Sequence, residues 1–357
     1  MREGRLGIGL VGMGRGSGYG RLFVGEPRCQ IAACCDADHR ALALFQSELG
    51  LPDSRCFTDY HEFLTVEMDA VVLGTPIPVH AEQTLAALEA GINVLCEVTA
   101  ASTLDDCARV VDTVRRTGKT YMLAENCCFW PFILEWRELV QAGRLGEVFY
   151  AECEYLHAIP ELVVDPATGG AKWRAHRAPL HYCSHSLGPI LEITGDRITR
   201  AMGLGGGHRV MPDHRFPGTI DIQVGLFETR NQAIIKLLRS SVAPRDSMHY
   251  YMLQGTRGFV ETDRAGPSMA RLYVGGEMES AIESEVSLVD SSLPEEARAG
   301  GHGTAEYAVV QEFLRALETG TKPSLDEVRA MDLTVPGIVA HESAMQGGVW
   351  MEVPSFG

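Results

Sequence analysis

The chain has 357 residues, enough for two domains with full cores, and its 45% hydrophobic and 22% charged content is ordinary for a soluble globular protein. With 31 Lys and Arg against 47 Asp and Glu, the net charge is −16, which repels phosphate backbones and argues against a nucleic-acid partner. No run approaches the roughly 20 apolar residues of a membrane span, and the glycine-broken run Leu6–Val11 behind Arg2 and Arg5 does not read as a secretion signal.

Strands are expected at Leu6–Val11, Ile31–Cys35, Ala70–Gly74, Asn93–Glu97 and Thr120–Ala124. Between them, Glu82–Ala90 and Thr103–Arg116 carry apolar residues at three- and four-residue spacing, the mark of amphipathic helices. This alternation predicts a parallel sheet with helices on both faces. After Asn126 the pattern changes. A helix at Ile133–Ala142 is followed by the strand-like runs Val148–Leu156, Thr219–Phe227, Ala233–Leu238 and Tyr250–Gln254, which suggest a mostly antiparallel sheet. Pro160–Pro179 and Gly203–Pro217 read as loops, and helices return at Thr304–Glu318 and Leu325–Gly337. Ten cysteines without any Cys-x-x-Cys, two pairs of them neighbours in apolar runs (Cys34-Cys35 and Cys127-Cys128), read as buried thiols of a reducing cytoplasm rather than a disulfide frame or zinc site.

A Gly-x-Gly-x-x-Gly match at Gly7, Gly9 and Gly12 lies inside the first strand, where it can cradle nothing. The working turn should follow the strand, at Gly12-Met13-Gly14-Arg15-Gly16-Ser17-Gly18. There Gly12 permits the tight turn, Gly14 lets the backbone approach a pyrophosphate, and the next helix offers its amides to the anion. Ser17 stands where the strict motif has its third glycine. Asp36, about twenty residues on at the end of the second strand, suits an adenosine ribose diol and disfavours a 2′-phosphate, which selects NAD(H) over NADP(H). The competing reading makes Asp36 the cap of a helix Ala37–Glu48. Gly74-Thr75-Pro76-Ile77-Pro78-Val79-His80 then brings a strand into a stiffened loop at the sheet's ligand-binding edge.

These residues resemble the Gfo/Idh/MocA oxidoreductases, through Ile8–Gly14, Cys35-Asp36, Gly74-Thr75-Pro76, Gly91–Glu97, Gly143–Glu147 and the tail Pro336–Ser343. The resemblance covers nearly the whole chain. It implies an α/β protein with an N-terminal Rossmann domain (residues 1–125) and a C-terminal α/β domain with a large, mostly antiparallel open sheet (126–357). Its last helical segment could pack back on the first domain. It also implies NAD as cofactor, held by Gly12, Gly14, Arg15, Gly16, Ser17, Asp36, Thr75, Pro76, His80, Glu97 and Asn126, and a homo-oligomer (dimer or tetramer) formed through the open sheet.

The family's Glu-Lys-Pro is replaced by Glu97-Val98-Thr99, and Val98 cannot move a proton. The family's Asp-x-x-x-His is also absent. Both departures resemble the branch of NAD-dependent glycosidases of glycoside hydrolase family 109 and relatives, as do Glu125-Asn126-Cys127-Cys128-Phe129, Tyr155-Leu156-His157, Trp173-Arg174 and Tyr182–Pro189. In the mechanism that resemblance implies, NAD⁺ transiently oxidises a sugar at C3, the C1 substituent is eliminated, water adds, and the hydride returns. His185 and Tyr182 would serve the 3-hydroxyl, Tyr155 the C2 proton, and His157 would position or polarise. The alternatives are that Tyr155 and His157 lie on a sheet surface and that His185 is a core or capping histidine. His181 is either a neighbour of the site or exposed. His208 and His214 lack a third metal ligand nearby, and no metal is expected.

Ala171-Lys172-Trp173-Arg174-Ala175-His176-Arg177 is a basic island in an acidic chain. Its arginine forks suit carboxylate or sulfonate oxygens. They suggest an anionic glycoside, a uronoside or a sulfoquinovoside, the latter having precedent in NAD-dependent sulfoquinovosidases of the superfamily. The competing reading is a solvated loop paired with nearby carboxylates. Three functions therefore stand: a redox-neutral glycosidase, an ordinary NAD-dependent sugar or polyol dehydrogenase, and a non-catalytic NAD-binding protein.

Overall fold

Short apolar runs in the first third of the chain become one parallel sheet. β1 (Leu6–Val11) leads to α1 (Met13–Val24), β2 (Cys29–Cys35), α2 (His39–Leu49), the two-residue β3 (Cys56–Phe57), the single turn α3 (Tyr60–Phe63) and β4 (Ala70–Leu73). α4 (His80–Glu89), β5 (Asn93–Cys96), α5 (Leu104–Thr117) and β6 (Tyr121–Leu123) follow. The order across the sheet is β3-β2-β1-β4-β5-β6, with every pair parallel. All of β4 and all of β1 beyond Leu6 are buried, as strands covered on both faces must be. Connectivity reverses between β1 and β4, so their carboxyl ends form the crevice where such sheets take ligands. α5 shows why the local chemistry closes. Thr103 caps it by accepting from the Asp106 amide, Asp105 and Asp106 sit in the first turn, Arg115 and Arg116 in the last, and Gly118 ends it in the left-handed conformation.

The computed structural model describes residues 4–210, 220–264 and 268–357. Beyond β6 come α6 (Pro131–Gln141), β7 (Val148–Leu156), α7 (Pro160–Val163), α8 (Ser184–Thr194), β8 (Ile198–Gly205), β9 (Ile222–Thr229), β10 (Ile234–Ser240) and β11 (Met248–Gly255). Then follow β12 (Gly258–Thr262), β13 (Met269–Val274), β14 (Ile282–Glu285), α9 (Ala305–Thr319), α10 (Glu327–Met345) and β15 (Met351–Glu352). The second sheet has the order β14-β13-β12-β11-β7-β10-β9-β8-β15. Only β7 and β10 run parallel; the other pairs are antiparallel.

The chain divides into two units, Met1–Phe129 with Val289–Met331 and Phe356–Gly357, and Trp130–Leu288 with Asp332–Ser355. In the first, the Leu123 amide donates to the Leu325 carbonyl, so the late segment belongs to the nucleotide-type unit. No helix among the described residues is long and apolar enough to cross a membrane. All ten cysteines carry free thiols.

The second unit departs from the sequence reading at its strand ends. β10 runs on through Arg239 and Ser240, and β11 starts earlier, at Met248 and His249. β8 occupies part of the stretch read as loop, while residues 211–219, and with them His214, lie outside the described residues. α10 continues through Pro336 and past the stop expected at Gly337. α8 was not among the expected elements: Gly188 and Pro189 argue locally against a helix there. Pro189 lies inside it and has no N–H for the carbonyl four residues back. That carbonyl, of His185, accepts instead from the Tyr251 hydroxyl on β11. The broken helical bond thereby fixes His185 against the sheet.

Candidate functional site

At the carboxyl edge of the parallel sheet, the backbone makes the site. Gly12 has φ 81°, and a Cβ there would stand 2.6 Å from the Gly74 carbonyl carbon, so the turns after β1 and β4 touch through their main chains. A Cβ on Gly14 would meet nothing within 4 Å, which leaves the first turn of α1 open to a pyrophosphate. The N-cap of α1, Gly12, has no side chain to cap it and no acidic residue lies in its first turn, so the amides of Gly14 and Arg15 are available to an anion. Close helix packing, the job of the strict third glycine, falls to Gly16 and Gly20. Cβ atoms there would approach the Val11 carbonyl to 3.2 Å and the Phe45 ring to 2.4 Å. Ser17 is half-buried between them.

Asp36 is not the cap of α2; that residue is Asp38, which accepts from the Arg40 amide. The Asp36 carboxylate instead accepts from the Met13 amide at 2.6 Å and the Asp38 amide at 2.8 Å. It therefore stands beside the glycine turn, where a ribose diol belongs. The Thr75 hydroxyl donates to Gln83 at 2.6 Å, and Pro76 opens the short turn before α4. His80 is wholly buried. Its Nδ1 lies 2.9 Å from the Thr99 carbonyl and its Nε2 2.7 Å from the Thr75 carbonyl. Two acceptor carbonyls require both N–H groups. Burial opposes the charge, but the Cys96 thiol and the two carbonyls outweigh it and hold the ring pKa up at about 9. His80 thus fixes the loops that carry Thr75 and Thr99. Glu97 is buried after β5 and accepts from Arg15 Nε at 2.7 Å and from the Val98 amide at 3.1 Å; the Val98–Thr99 peptide is cis. Arg15 also pairs with Glu306 on α9 at 2.7 Å. Burial disfavours the Glu306 carboxylate, but His302 and Arg15 hold its pKa down at about 2. Asn126 is buried in the turn after β6.

The second unit gathers the tyrosines and histidines on the face of the sheet that α8 covers. Tyr155, on β7, is opposite Arg239 on β10 and opposite His249 on β11. The three side chains form one row across adjacent strands. His249 stacks on Tyr155 with ring centroids 4.0 Å apart and planes at 17°. The Arg239 guanidinium carbon lies 4.4 Å from the Tyr155 ring centre and 5.4 Å from that of Tyr182. The Tyr155 hydroxyl hydrogen-bonds His157 Nδ1, and the His157 amide bonds the Ser240 carbonyl at 3.0 Å, continuing the strand pairing. Tyr182, on the turn before α8, has its hydroxyl 3.2 Å from His185 Nε2. Tyr155 is 5.6 Å from the His185 ring and 6.4 Å from the Tyr182 ring. The four residues expected from sequence are thus together. Tyr155 is only 6% exposed, so this is not a solvated sheet surface. Sequence reading missed Arg239 and His249 because both lie just outside the predicted strand limits.

The basic island splits. Lys172 donates to the Glu161 carbonyl at 3.1 Å and lies 3.7 Å from Asp165, so it is spent on its own loop. Arg174 stacks on Trp173 at 4.2 Å and forms no ion pair among the described residues. Burial lowers its guanidinium pKa, and Tyr182 and Tyr155 oppose that. His181 packs edge-on to His341 at 4.6 Å. Burial, with Arg177 and His341, pushes its pKa down to about 3. His208 sits in the loop after β8.

Comparison with known proteins matches a family domain to each half of the chain. The oxidoreductase family with an NAD-binding Rossmann fold, GFO/IDH/MocA, matches residues 6–125, and its C-terminal domain matches residues 133–261. A glycosyl hydrolase family 109 protein of Shewanella pealeana is 25% identical over 98% of this chain and 85% of its own length. An alpha-N-acetylgalactosaminidase of Bacteroides fragilis is 24% identical over 81% of this chain and 75% of its own. The inositol dehydrogenase homolog of Azotobacter vinelandii, solved with NADH and myo-inositol, superposes with a TM-score of 0.79 at 21% identity, covering 98% of each chain. The chain belongs to the GFO/IDH/MocA oxidoreductase family. It is an NAD-dependent enzyme, and the open glycine turn, the amides of Gly14 and Arg15 at the start of α1 and the carboxylate of Asp36 fit that cofactor.

Proposed function

We propose that the protein is a redox-neutral, NAD-dependent glycosidase, and that its two phenol–imidazole pairs carry the proton transfers. The carrying observation is that Tyr155–His157 and Tyr182–His185 lie in one cluster. Oxidising a carbinol moves one proton at one oxygen. Eliminating and rehydrating at C1–C2 needs further transfers at C2 and at the leaving oxygen, and a second pair supplies that capacity. Val98, where the family's lysine is expected, supplies none. The glycosidase names of the relatives in Shewanella and Bacteroides support the same reading.

NAD⁺ held at Gly12, Gly14 and Asp36 would supply a hydride acceptor and donor for C3. His185, with Tyr182 beside it, takes the 3-hydroxyl proton and holds the C3 carbonyl oxygen. Tyr155 takes the C2 proton, now acidified by the neighbouring ketone. The C1–O bond breaks, and the aglycone leaves with a proton. Water adds to C1 and a proton returns to C2 through Tyr155. The 3-hydroxyl is restored through His185 when C3 is reduced. His157 polarises the Tyr155 hydroxyl, accepting its proton so that Tyr155 can take the one from C2, and gives it back when C2 is reprotonated. Net, one glycosidic bond and one water are consumed, and the cofactor is unchanged.

Arg174 and Trp173 are the places for an anionic substituent on the sugar, a carboxylate or a sulfonate, because Arg174 has no ion pair among the described residues. Lys172 is left out of this role by its own loop. On the sheet face turned away from α8, Leu204 (53% exposed), Val224 (36% exposed) and Leu238 are cross-strand neighbours. We assign this face to a homo-oligomer interface, a dimer or tetramer. The ten free thiols suit a cytoplasmic location.

The test is incubation with NAD⁺ and aryl glycosides, neutral and anionic, in D₂O. Aglycone release with deuterium at C2 and no accumulating NADH is expected. Stoichiometric NADH with an intact glycosidic bond would instead make the enzyme a dehydrogenase.

A further inference from the structure

One charged group in the second unit has no place in the steps above. Arg239 is 2% exposed, yet no carboxylate pairs with it among the described residues. Its Nη1 donates to the carbonyl oxygens of Tyr155 and Ser240, and its Nε has no hydrogen-bond partner. A buried cation is ordinarily neutralised by an anion or removed. Here the groups facing the guanidinium are two phenol rings, Tyr155 at 4.4 Å and Tyr182 at 5.4 Å. Register puts it there. Arg239 and Tyr155 are direct partners on the parallel pair β10–β7, so the cation is fixed laterally by the sheet rather than by a flexible loop.

We propose that Arg239 is a positioning residue whose buried charge is the counter-ion of an ionised Tyr155, holding that phenol ready to act as the base at C2. The proposal rests on the reading of Tyr155 as the site's base. A cation against an aromatic face is attracted by the neutral ring and more strongly by a phenolate, whose charge spreads into that ring. When Tyr155 passes its proton to His157, Arg239 pairs with the phenolate without moving, and when that phenolate takes the C2 proton the pair relaxes to a cation against a neutral ring. Groups facing Tyr155 among the described residues include His157 just past β7, Tyr182 on the turn before α8, His185 at the start of α8, His249 on β11, and Arg174 from the turn at residues 173–176. Arg174 is a second cation in this set, and none of the others is a carboxylate. The burial that pulls the guanidinium of Arg239 below its usual value is opposed first by Tyr155 and then by Tyr182.

The test needs no substrate. Tyrosinate formation is followed by ultraviolet difference titration in the parent, Arg239→Met, Arg239→Lys and Tyr155→Phe, with circular dichroism to check folding. One tyrosine of the parent should ionise early. That early step should be absent in Tyr155→Phe, retained in Arg239→Lys, and moved up by about tenfold or more in proton affinity in Arg239→Met. The activity profile of Arg239→Met should shift its alkaline-rising limb by the same amount and recover at high pH, which a merely structural role would not produce. If the parent shows no early tyrosine, if the early tyrosine survives in Tyr155→Phe, or if Arg239→Met titrates like the parent, the proposal is wrong. Should Arg239→Met fail to fold, the parent, Arg239→Lys and Tyr155→Phe titrations still decide. Failure of the glycosidase reading would appear separately, as no aglycone release from any variant while the titration pattern holds.

Discussion

The two units build their sites from different materials. In the first, the working surface is main chain: a glycine turn that only close approach explains, the amides of a helix's first turn, and one carboxylate bonded to the first of them. In the second it is side chains, and what brings them together is strand register. Arg239 and His249 are far from Tyr155 in sequence but adjacent to it on the sheet. A main-chain site tolerates almost no added volume and many changes of neighbouring side chain. A register-built site should behave the other way, losing chemistry to single side-chain changes while its backbone stays intact.

The largest expected effect is on that second site. Tyr155→Phe removes one hydroxyl and its bond to His157. It should lower kcat by roughly 10²–10⁴-fold, with NAD affinity unchanged by fluorescence titration. Equal loss of NAD binding would erase the contrast between the units. Gly12→Ala should do the reverse. A Cβ 2.6 Å from the Gly74 carbonyl carbon, at φ 81°, should cost the first unit about 1–3 kcal/mol in denaturant unfolding and abolish tight NAD binding. Asp36→Ala keeps the turn but removes the acceptor for the ribose; NAD should bind roughly 10–100-fold more weakly, and discrimination against NADP should fall.

A subtler contrast lies in pH. His80, in the first unit, has its pKa raised from 6.5 to about 9. Its contribution is complete below 6.5 and fades as pH rises through 9. His181, in the second unit, is depressed from 6.5 to about 3. Its contribution is complete above 6.5 and fades as pH falls towards 3. Glu306 adds an acid-side loss to the first unit, but only between 4.5 and about 2. Hydrogen exchange read by segment should therefore show the second unit loosening first on mild acidification and the first unit loosening first in alkali. Loosening of both units together at both ends would contradict the assignment. The smallest effect is expected for Lys172→Ala. Since Lys172 is held by Asp165 and Glu161, KM for charged and neutral glycosides should stay within about twofold, whereas Arg174→Ala should penalise the charged substrates selectively.

This contrast also explains what could be read from the amino-acid order. The strands and turns of the first unit were legible because each is written in a few consecutive residues: an apolar run, then Gly12 or Asp36 or Thr75. Ser17 looked like a broken motif because the packing role moved to Gly16 and Gly20, which only the helix–strand contact reveals. In the second unit, Tyr155, His157, Tyr182 and His185 were found through resemblance. Arg239 and His249 were not, because a strand end misplaced by two residues hides a register partner altogether. α8 escaped because Pro189 argues locally against a helix, and the hydroxyl that compensates for it, on Tyr251, is distant in sequence.

The most direct measurement is a single turnover of the parent and Tyr155→Phe with NAD⁺ and an aryl glycoside in D₂O, following cofactor absorbance and C2 deuterium together. If hydride chemistry belongs to the NAD site and C2 proton chemistry to the Tyr155 row, the parent should show transient reduction, C2 exchange and aglycone release. Tyr155→Phe should still reduce the cofactor once but neither exchange C2 nor release aglycone. Tyr155→Phe that exchanges C2 at the parent's rate would contradict this division of labour.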